Sequence, residues 1–221
     1  AGGAIPAVLA VAASTGILTA GLIAGGSIPP YTQTYEYDGS TWTGGGALNT
    51  GRQYFDGAGP QTASVAAGGW VPPNSNATEE YNGTGWTTVN DIGTARRGAR
   101  MAGVDSGSAL LYGGIISTPT TASEEYDGTS WSATPSLATG RREGGRGKSG
   151  STATAAFIAG GDVPPMTTAT EEFNRSGSVL TAAAWSASTA LPSARWNTSG
   201  TGIETASLCF GGSTGPATPT F

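Results

Sequence analysis

SALLYGGIISTPTTASEEYDGTSW, residues 108–131, holds most landmarks of a unit that recurs along nearly the whole chain. A short apolar run ends in Gly113-Gly114, a Pro/Thr-rich loop follows, then Glu124-Glu125-Tyr126-Asp127-Gly128, and Trp131 closes the unit. Working outward, paired glycines stand at Gly25-Gly26, Gly68-Gly69, Gly113-Gly114, Gly160-Gly161 and Gly211-Gly212, so the second glycine steps by 43, 45, 47 and 51 residues. An aromatic follows at Tyr37, Tyr81, Tyr126 and Phe173, each preceded by Glu and followed by Asp or Asn, and then Trp42, Trp86, Trp131 or Trp185. Upstream, Arg52, Arg96, Arg141 and Arg195 each precede the second glycine of their pair by 17 to 20 residues. Self-similarity at such a period marks a stacked or radial array.

Each unit reads as four short strands: a after the Arg, b running into Gly-Gly, c through T-x-E-E-Y, and d from Trp. Gly and Pro breakers in every unit, and no apolar face at 3.6 spacing, argue against helix. Asp-Gly and Asn-Gly between c and d are hairpin turns, because those residues tolerate positive φ. Four antiparallel strands in about 45 residues make a propeller blade. The expected fold is therefore all-β, a β-propeller forming a single domain over 1–221.

Gly-Gly, about a dozen residues to E-Y-D, then Trp five residues later, resembles the kelch repeat over about Ala7 to Phe221, with four full copies and a partial fifth. NATEEYNGTGW and TASEEYDGTSW, set in Ala/Gly/Thr-rich filler, are similar to kelch-like repeat proteins encoded by marine tailed bacteriophages. The resemblance implies a non-enzymatic propeller carried on a virion.

The blades fall at about 7–45, 46–89, 90–134, 135–188 and 189–221. The fifth stops within strand c, and an open sheet edge exposes unpaired backbone groups. Residues Gly2–Pro6 are expected to supply its outer strand and close five blades. The alternatives are a longer chain or a strand from a neighbouring subunit. Residues 1–26 carry no charged side chain, but six glycines and Pro6 in that window favour strands over a membrane span. About seven extra residues between Phe173 and Trp185 predict a longer c–d loop in the fourth blade.

The chain has no histidine, which removes Ser-His-Asp triads, imidazole metal ligands and a His general base. The copper oxidases that share the kelch-type fold need, by resemblance, His ligands and a Cys-linked Tyr, which are missing. Glu79-Glu80, Glu124-Glu125 and Glu171-Glu172 suggest the carboxylate pairs of glycosidases. Neighbours on a strand point to opposite faces, however, and recurrence with the repeat favours pairing with the repeat Arg. No catalytic residue, metal or cofactor is expected. Cys209, the only cysteine, is expected to be buried and inert. A net charge of −5 and a pI near 4.6 argue against nucleic-acid binding.

Two features are binding candidates. Arg97, Arg100, Arg142, Arg146 and Lys148 cluster beside the repeat arginines and suit an anionic sugar or a partner protein. The b–c loops carry Tyr31, Trp70, Pro72, Pro73 and Met166, which suit stacking on sugar or packing on protein. With charged residues at only 11%, the surface is one of Thr, Ser, Asn and Gly and suits a virion or extracellular location. The expected function is a structural or adhesion component of a tailed phage (tail fibre, tail or decoration protein), with other virion proteins or a host-surface glycan as partners and homo-oligomerisation open. The alternative is a secreted or surface carbohydrate-binding propeller of a bacterium.

Overall fold

Five β-sheets follow one another along the chain in the computed structural model, which describes residues 2–7, 9–147, 152–163, 165–175, 184–203 and 206–214. The first sheet holds β1 (Ala13–Ile17), β2 (Ala20–Ala24), β3 (Thr34–Tyr37) and β4 (Trp42–Gly44). The second holds β5 (Asp56–Ala58), β6 (Ser64–Ala67), β7 (Thr78–Tyr81) and β8 (Trp86–Val89). The third holds β9 (Arg100–Asp105), β10 (Ser108–Tyr112), β11 (Ser123–Tyr126) and β12 (Trp131–Ala133). The fourth holds β13 (Gly145–Arg146), β14 (Ala155–Ala159), β15 (Thr170–Asn174) and β16 (Ala184–Ser188). Each of these four is antiparallel, with its strands in sequence order. β17 (Trp196–Ile203) and β18 (Ala206–Ser213) pair as a fifth, two-stranded sheet among the described residues. The array is propeller-like, and the uncharged N-terminal stretch enters it through β1 and β2. No helix among the described residues is long and apolar enough to cross a membrane.

The sheets pack face to face. One core joins the first two sheets through Leu22, Phe55, Tyr81 and Trp86, a second joins the next two through Val65, Met101, Leu111 and Tyr126, and a third uses Leu110, Tyr112, Ile158 and Phe173. Strand b of a middle sheet is covered on both sides, which is why β10 reads as a continuous apolar run instead of an alternating one.

The seams between sheets share one backbone bond, and the first two add an indole bond; together these explain the landmarks. At Gly68-Gly69 both residues have positive φ, +70° and +111°, and a Cβ on Gly68 would stand 2.7 Å from the Arg96 carbonyl oxygen. The Gly69 N–H donates to that same oxygen, 2.8 Å away. Gly26 to Arg52, Gly114 to Arg141 and Gly161 to Arg195 repeat the bond. Glycine is needed because the next sheet's backbone occupies the place of a side chain. Tyr37, Tyr81, Tyr126 and Phe173 stand opposite Trp42, Trp86, Trp131 and Trp185, with ring centroids 4.9, 5.0, 5.0 and 5.3 Å apart. Such cross-strand aromatic pairs are the unit of sheet stabilisation. The indole N–H of Trp86 then donates to Thr34 on the preceding sheet, and that of Trp131 to Thr78.

Gly2–Pro6, expected as the outer strand of the fifth blade, form no strand. The Gly3 N–H donates to Ser40 O, 2.6 Å away, in the β3–β4 turn. A Cβ on Gly3 would press on Ser40 and Thr41, as one on Gly46 would press on Thr84 and Gly85 of the next sheet. In the repeat register Gly2-Gly3 thus match Gly45-Gly46, which follow a strand d and are not part of it. The long c–d loop of the fourth copy, Lys148 and the third strand of the fifth copy lie outside the described residues.

Candidate functional site

The repeated carboxylates hold the scaffold. Glu79, Glu124 and Glu171 ion-pair with Arg52, Arg96 and Arg141, all buried. Glu79 also accepts the Asn49 and Thr50 N–H groups, Glu124 that of Gly93, and Glu171 that of Ala138. Each pair therefore ties the incoming loop to strand c of its own sheet. Burial lowers the Arg52 pKa to about 10, with Glu79 opposing the fall. The second Glu faces the other way, as strand alternation requires. Glu36 accepts the hydroxyl of Tyr81 and Glu80 that of Tyr126, each from the following sheet. Phe173 has no hydroxyl, and there Arg175 ion-pairs with Glu125 in its place.

Arginines of the proposed basic cluster divide in two. Arg146 is buried; it ion-pairs with Asp56 and donates to the Met101 carbonyl, so it joins the second, third and fourth sheets at their inner strands. Arg142 ion-pairs with Asp162 through Nε and a terminal nitrogen. Arg97 and Arg100 form no close ion pair among the described residues, although Asp56 and Glu143 act on the enclosed Arg100 electrostatically, against the fall in its pKa that burial causes. The Arg97 guanidinium carbon lies 5.9 Å from the Trp70 ring centroid, a cation–π contact, and the group donates to Asn74 Oδ1 at 2.8 Å. Asn74 is itself fixed by its amide N–H bonds to Ile115 O and Ile116 O. Arg100 donates from Nε to Gly144 O, 2.7 Å away.

These groups surround a chain of backbone hydrogen bonds that crosses all five sheets at their inner ends. Tyr54 N–H donates to Val11 O, Gly98 to Tyr54, Glu143 to Gly98 and Asn197 to Glu143, at 2.7 to 2.9 Å. All five residues have positive φ, between +51° and +64°. A Cβ on Gly98 would meet the Arg142 Cβ at 3.3 Å and the Glu143 Cγ at 3.4 Å, so the Glu143 side chain lies over this glycine. The next ring outward is made by backbone bridges Gln53–Trp70, Arg97–Ile115 and Arg142–Asp162. A fixed frame thus presents Tyr54, Glu143, Gln53, Trp70, Arg97 and Arg142, a set of differing side chains, around one end of the inner strands.

The loop candidates are spread over the same end without converging. Tyr31 and Met166 are half-buried on the first and fourth sheets, and Pro72 and Pro73 are exposed on the second. Of these loop residues Trp70 alone meets a candidate arginine. Between the third and fourth sheets the loops leave an open cleft of about 450 Å³, lined by Ile116, Thr118, Pro119, Thr120, Thr139 and Val163. Cys209, expected to be buried, is half-exposed on β18, beside a smaller cleft with Pro192, Arg195 and Thr198. Elsewhere strand b lies between two strands of its own sheet, whereas β18 pairs with β17 alone among the described residues.

Sequence reasoning did not single out Tyr54, Asn74 or Glu143. Tyr54 and Glu143 carried a signal, since each stands two residues after a repeat arginine, as do Gly98 and Asn197. Asn74 carried none.

No protein-family model matches the sequence, and no curated protein does. Among solved structures, the one titled "Structure of YjhT" is similar in fold, with a TM-score of 0.71 at 15% identity over 87% of this chain and 69% of the other. That likeness bears on the fold alone.

Proposed function

We propose that the chain is a non-enzymatic component of a tailed-phage virion, a kelch-type propeller of five blades that docks on another virion protein or on a host-surface glycan. One observation carries the reading: the recurring Arg-Glu and Tyr-Glu pairs serve the scaffold, while differing side chains are gathered at the inner end of the sheets. A carboxylate enclosed by an arginine and backbone N–H groups is a poor proton donor or nucleophile. A rigid frame that displays variable groups suits recognition. The phage setting rests on the sequence resemblance, and location on a virion or outside a cell follows from it.

The second reading, a secreted or surface carbohydrate-binding propeller of a bacterium, is favoured by Trp70 and Tyr54, since aromatic rings are suited to sugar stacking. An antibody against the chain separates the two. Decoration of purified virions and co-sedimentation with them is the expected result. Recovery solely from the particle-free medium would overturn the virion assignment in favour of the secreted one.

A further inference from the structure

Each seam buries one face of the sheet before it and one face of the sheet after it, so the two end sheets can be compared with the inner ones position by position. Four residues before the second glycine of each pair stand Leu22, Val65, Leu110, Phe157 and Leu208. The first three point into the core shared with the following sheet, and the first four are 0 to 3% exposed. Leu208 is 61% exposed. Gly211 agrees with it. At Gly25, Gly68, Gly113 and Gly160 an added Cβ would stand 2.5 to 2.8 Å from the carbonyl oxygen of the next copy's arginine. At Gly211, which has the same positive φ, no described atom lies within 4 Å of that place.

The first sheet is bare on its opposite face. Ile23 is half-buried where its counterparts Ala66, Leu111 and Ile158 are enclosed, and Tyr37 is half-buried where Tyr81, Tyr126 and Phe173 are enclosed. In the next two sheets the tyrosine hydroxyl and the indole N–H reach a Glu and a Thr on strand c of the preceding sheet. Those of Tyr37 and Trp42 have no acceptor among the described residues. The three atoms nearest a Cβ on Gly2 all belong to Tyr37, whereas those nearest one on Gly45 come from Thr34 and Glu36 as well as Tyr81. The backbone chain at the inner ends stops here too: the Val11 N–H makes no return bond to Asn197, so four bonds link five sheets without closing the circle.

We propose that these two faces form a docking surface for a partner protein that inserts one kelch-type sheet between the fifth sheet and the first. Curvature sharp enough for Arg146 to reach Asp56 two sheets away brings the two ends round toward one another. The established seams set the chemistry of the occupant. Its strand c carries Thr or Ser two residues before Glu, as Thr78 and Glu80 stand, to accept the Trp42 indole N–H and the Tyr37 hydroxyl. Its entering loop lays a backbone carbonyl on Gly211-Gly212, and an apolar side chain covers Leu208. A merely apolar partner would cover Leu208 and Ile23 but bury both donors unpaired, which is costly. This rests on the docking reading above and locates its surface.

Residues 46–89 of this chain, made as a separate polypeptide, are a probe that carries the required Thr78 and Glu80. Calorimetric titration of the intact chain with it should show saturable one-to-one binding. Tyr37→Phe in the chain and Glu80→Gln in the probe should each weaken binding about tenfold, the scale of one hydrogen bond to a charged group, and together no more than either alone. Binding indifferent to both substitutions overturns the inference. If the free probe does not bind, the covalent version decides: the chain with residues 46–88 in place of Ala1 should melt about 5 °C or more above the chain itself, and Tyr37→Phe should remove part of the gain. An unchanged melting temperature overturns the inference. A dimer of the intact chain that Tyr37→Phe dissociates, seen by light scattering, would give the surface to a second copy and overturn the assignment to a partner. The virion assignment is decided separately by particle decoration.

Discussion

Arg146 on the fourth sheet ion-pairs with Asp56 on the second, 90 residues earlier, and so bridges past the third sheet, whose Met101 carbonyl it also engages. Asp56 in turn accepts the Gly57 and Met101 N–H groups. The contact requires sharp curvature, because inner strands two sheets apart must come within side-chain reach.

Removing one partner would strand the other as a buried charge. Asp56→Ala should therefore destabilise the fold by about 3 kcal/mol or more. The double change Asp56→Leu with Arg146→Met should cost clearly less. Urea titration followed by tryptophan fluorescence measures both; equal losses would contradict the argument.

The tyrosine latches predict a weakness to alkali. Burial, then the bond to Glu36, raises the Tyr81 pKa from 10 to about 12, and burial raises Tyr126 and Tyr112 further. The folded pKa is above the unfolded one, so the protonated tyrosines stabilise fully below pH 10, and that contribution fades as the pH climbs through 12. Circular dichroism should show unfolding setting in above pH 10. Tyr81→Phe should be less stable at pH 7 and have a shallower loss between pH 10 and 12.

The seam between the third and fourth sheets is chemically the odd one. Ser123 stands where Thr34 and Thr78 stand in the earlier seams, and both Ser123 Oγ and the Trp185 indole N–H lack a hydrogen-bond partner among the described residues. Threonine's branched side chain holds its hydroxyl in fewer rotamers. Ser123→Thr should restore the bond and add about 1 kcal/mol to stability, read as a raised melting temperature.

Gly68→Ala places a methyl against the Arg96 carbonyl at a residue with φ of +70°. Strain and displacement of the bond from Gly69 act together, and a loss of about 2 to 4 kcal/mol in thermal or urea unfolding is expected.

The sequence made the scaffold legible because its landmarks answer to chemistry that allows few substitutes. Gly68-Gly69 must admit the next sheet's backbone, and Trp86 must reach across to Thr34. The same logic reached the Arg–Glu pairs, although which Glu of each doublet took the arginine followed only from strand alternation and the observed register. Arg146–Asp56 was not legible, since it joins copies two apart at positions that are not equivalent in the repeat. Tyr54 and Glu143 escaped notice because a shared backbone conformation leaves no shared residue type. Gly2–Pro6 were placed by exhaustion, as the residues left over; register against Gly45-Gly46 would have placed them beside the β3–β4 turn.

Every repeated seam bond, Gly69 to Arg96 or Trp86 to Thr34, joins a sheet to its immediate neighbour in the chain. Assembly can therefore proceed in order during synthesis, each newly emerged copy docking on the one already formed, with closure of distant loops kept modest. The same locality makes the copy a unit of inheritance: one inserted or deleted in register finds both its seams ready made. Phe173 with Arg175 shows a seam drifting in composition while still holding.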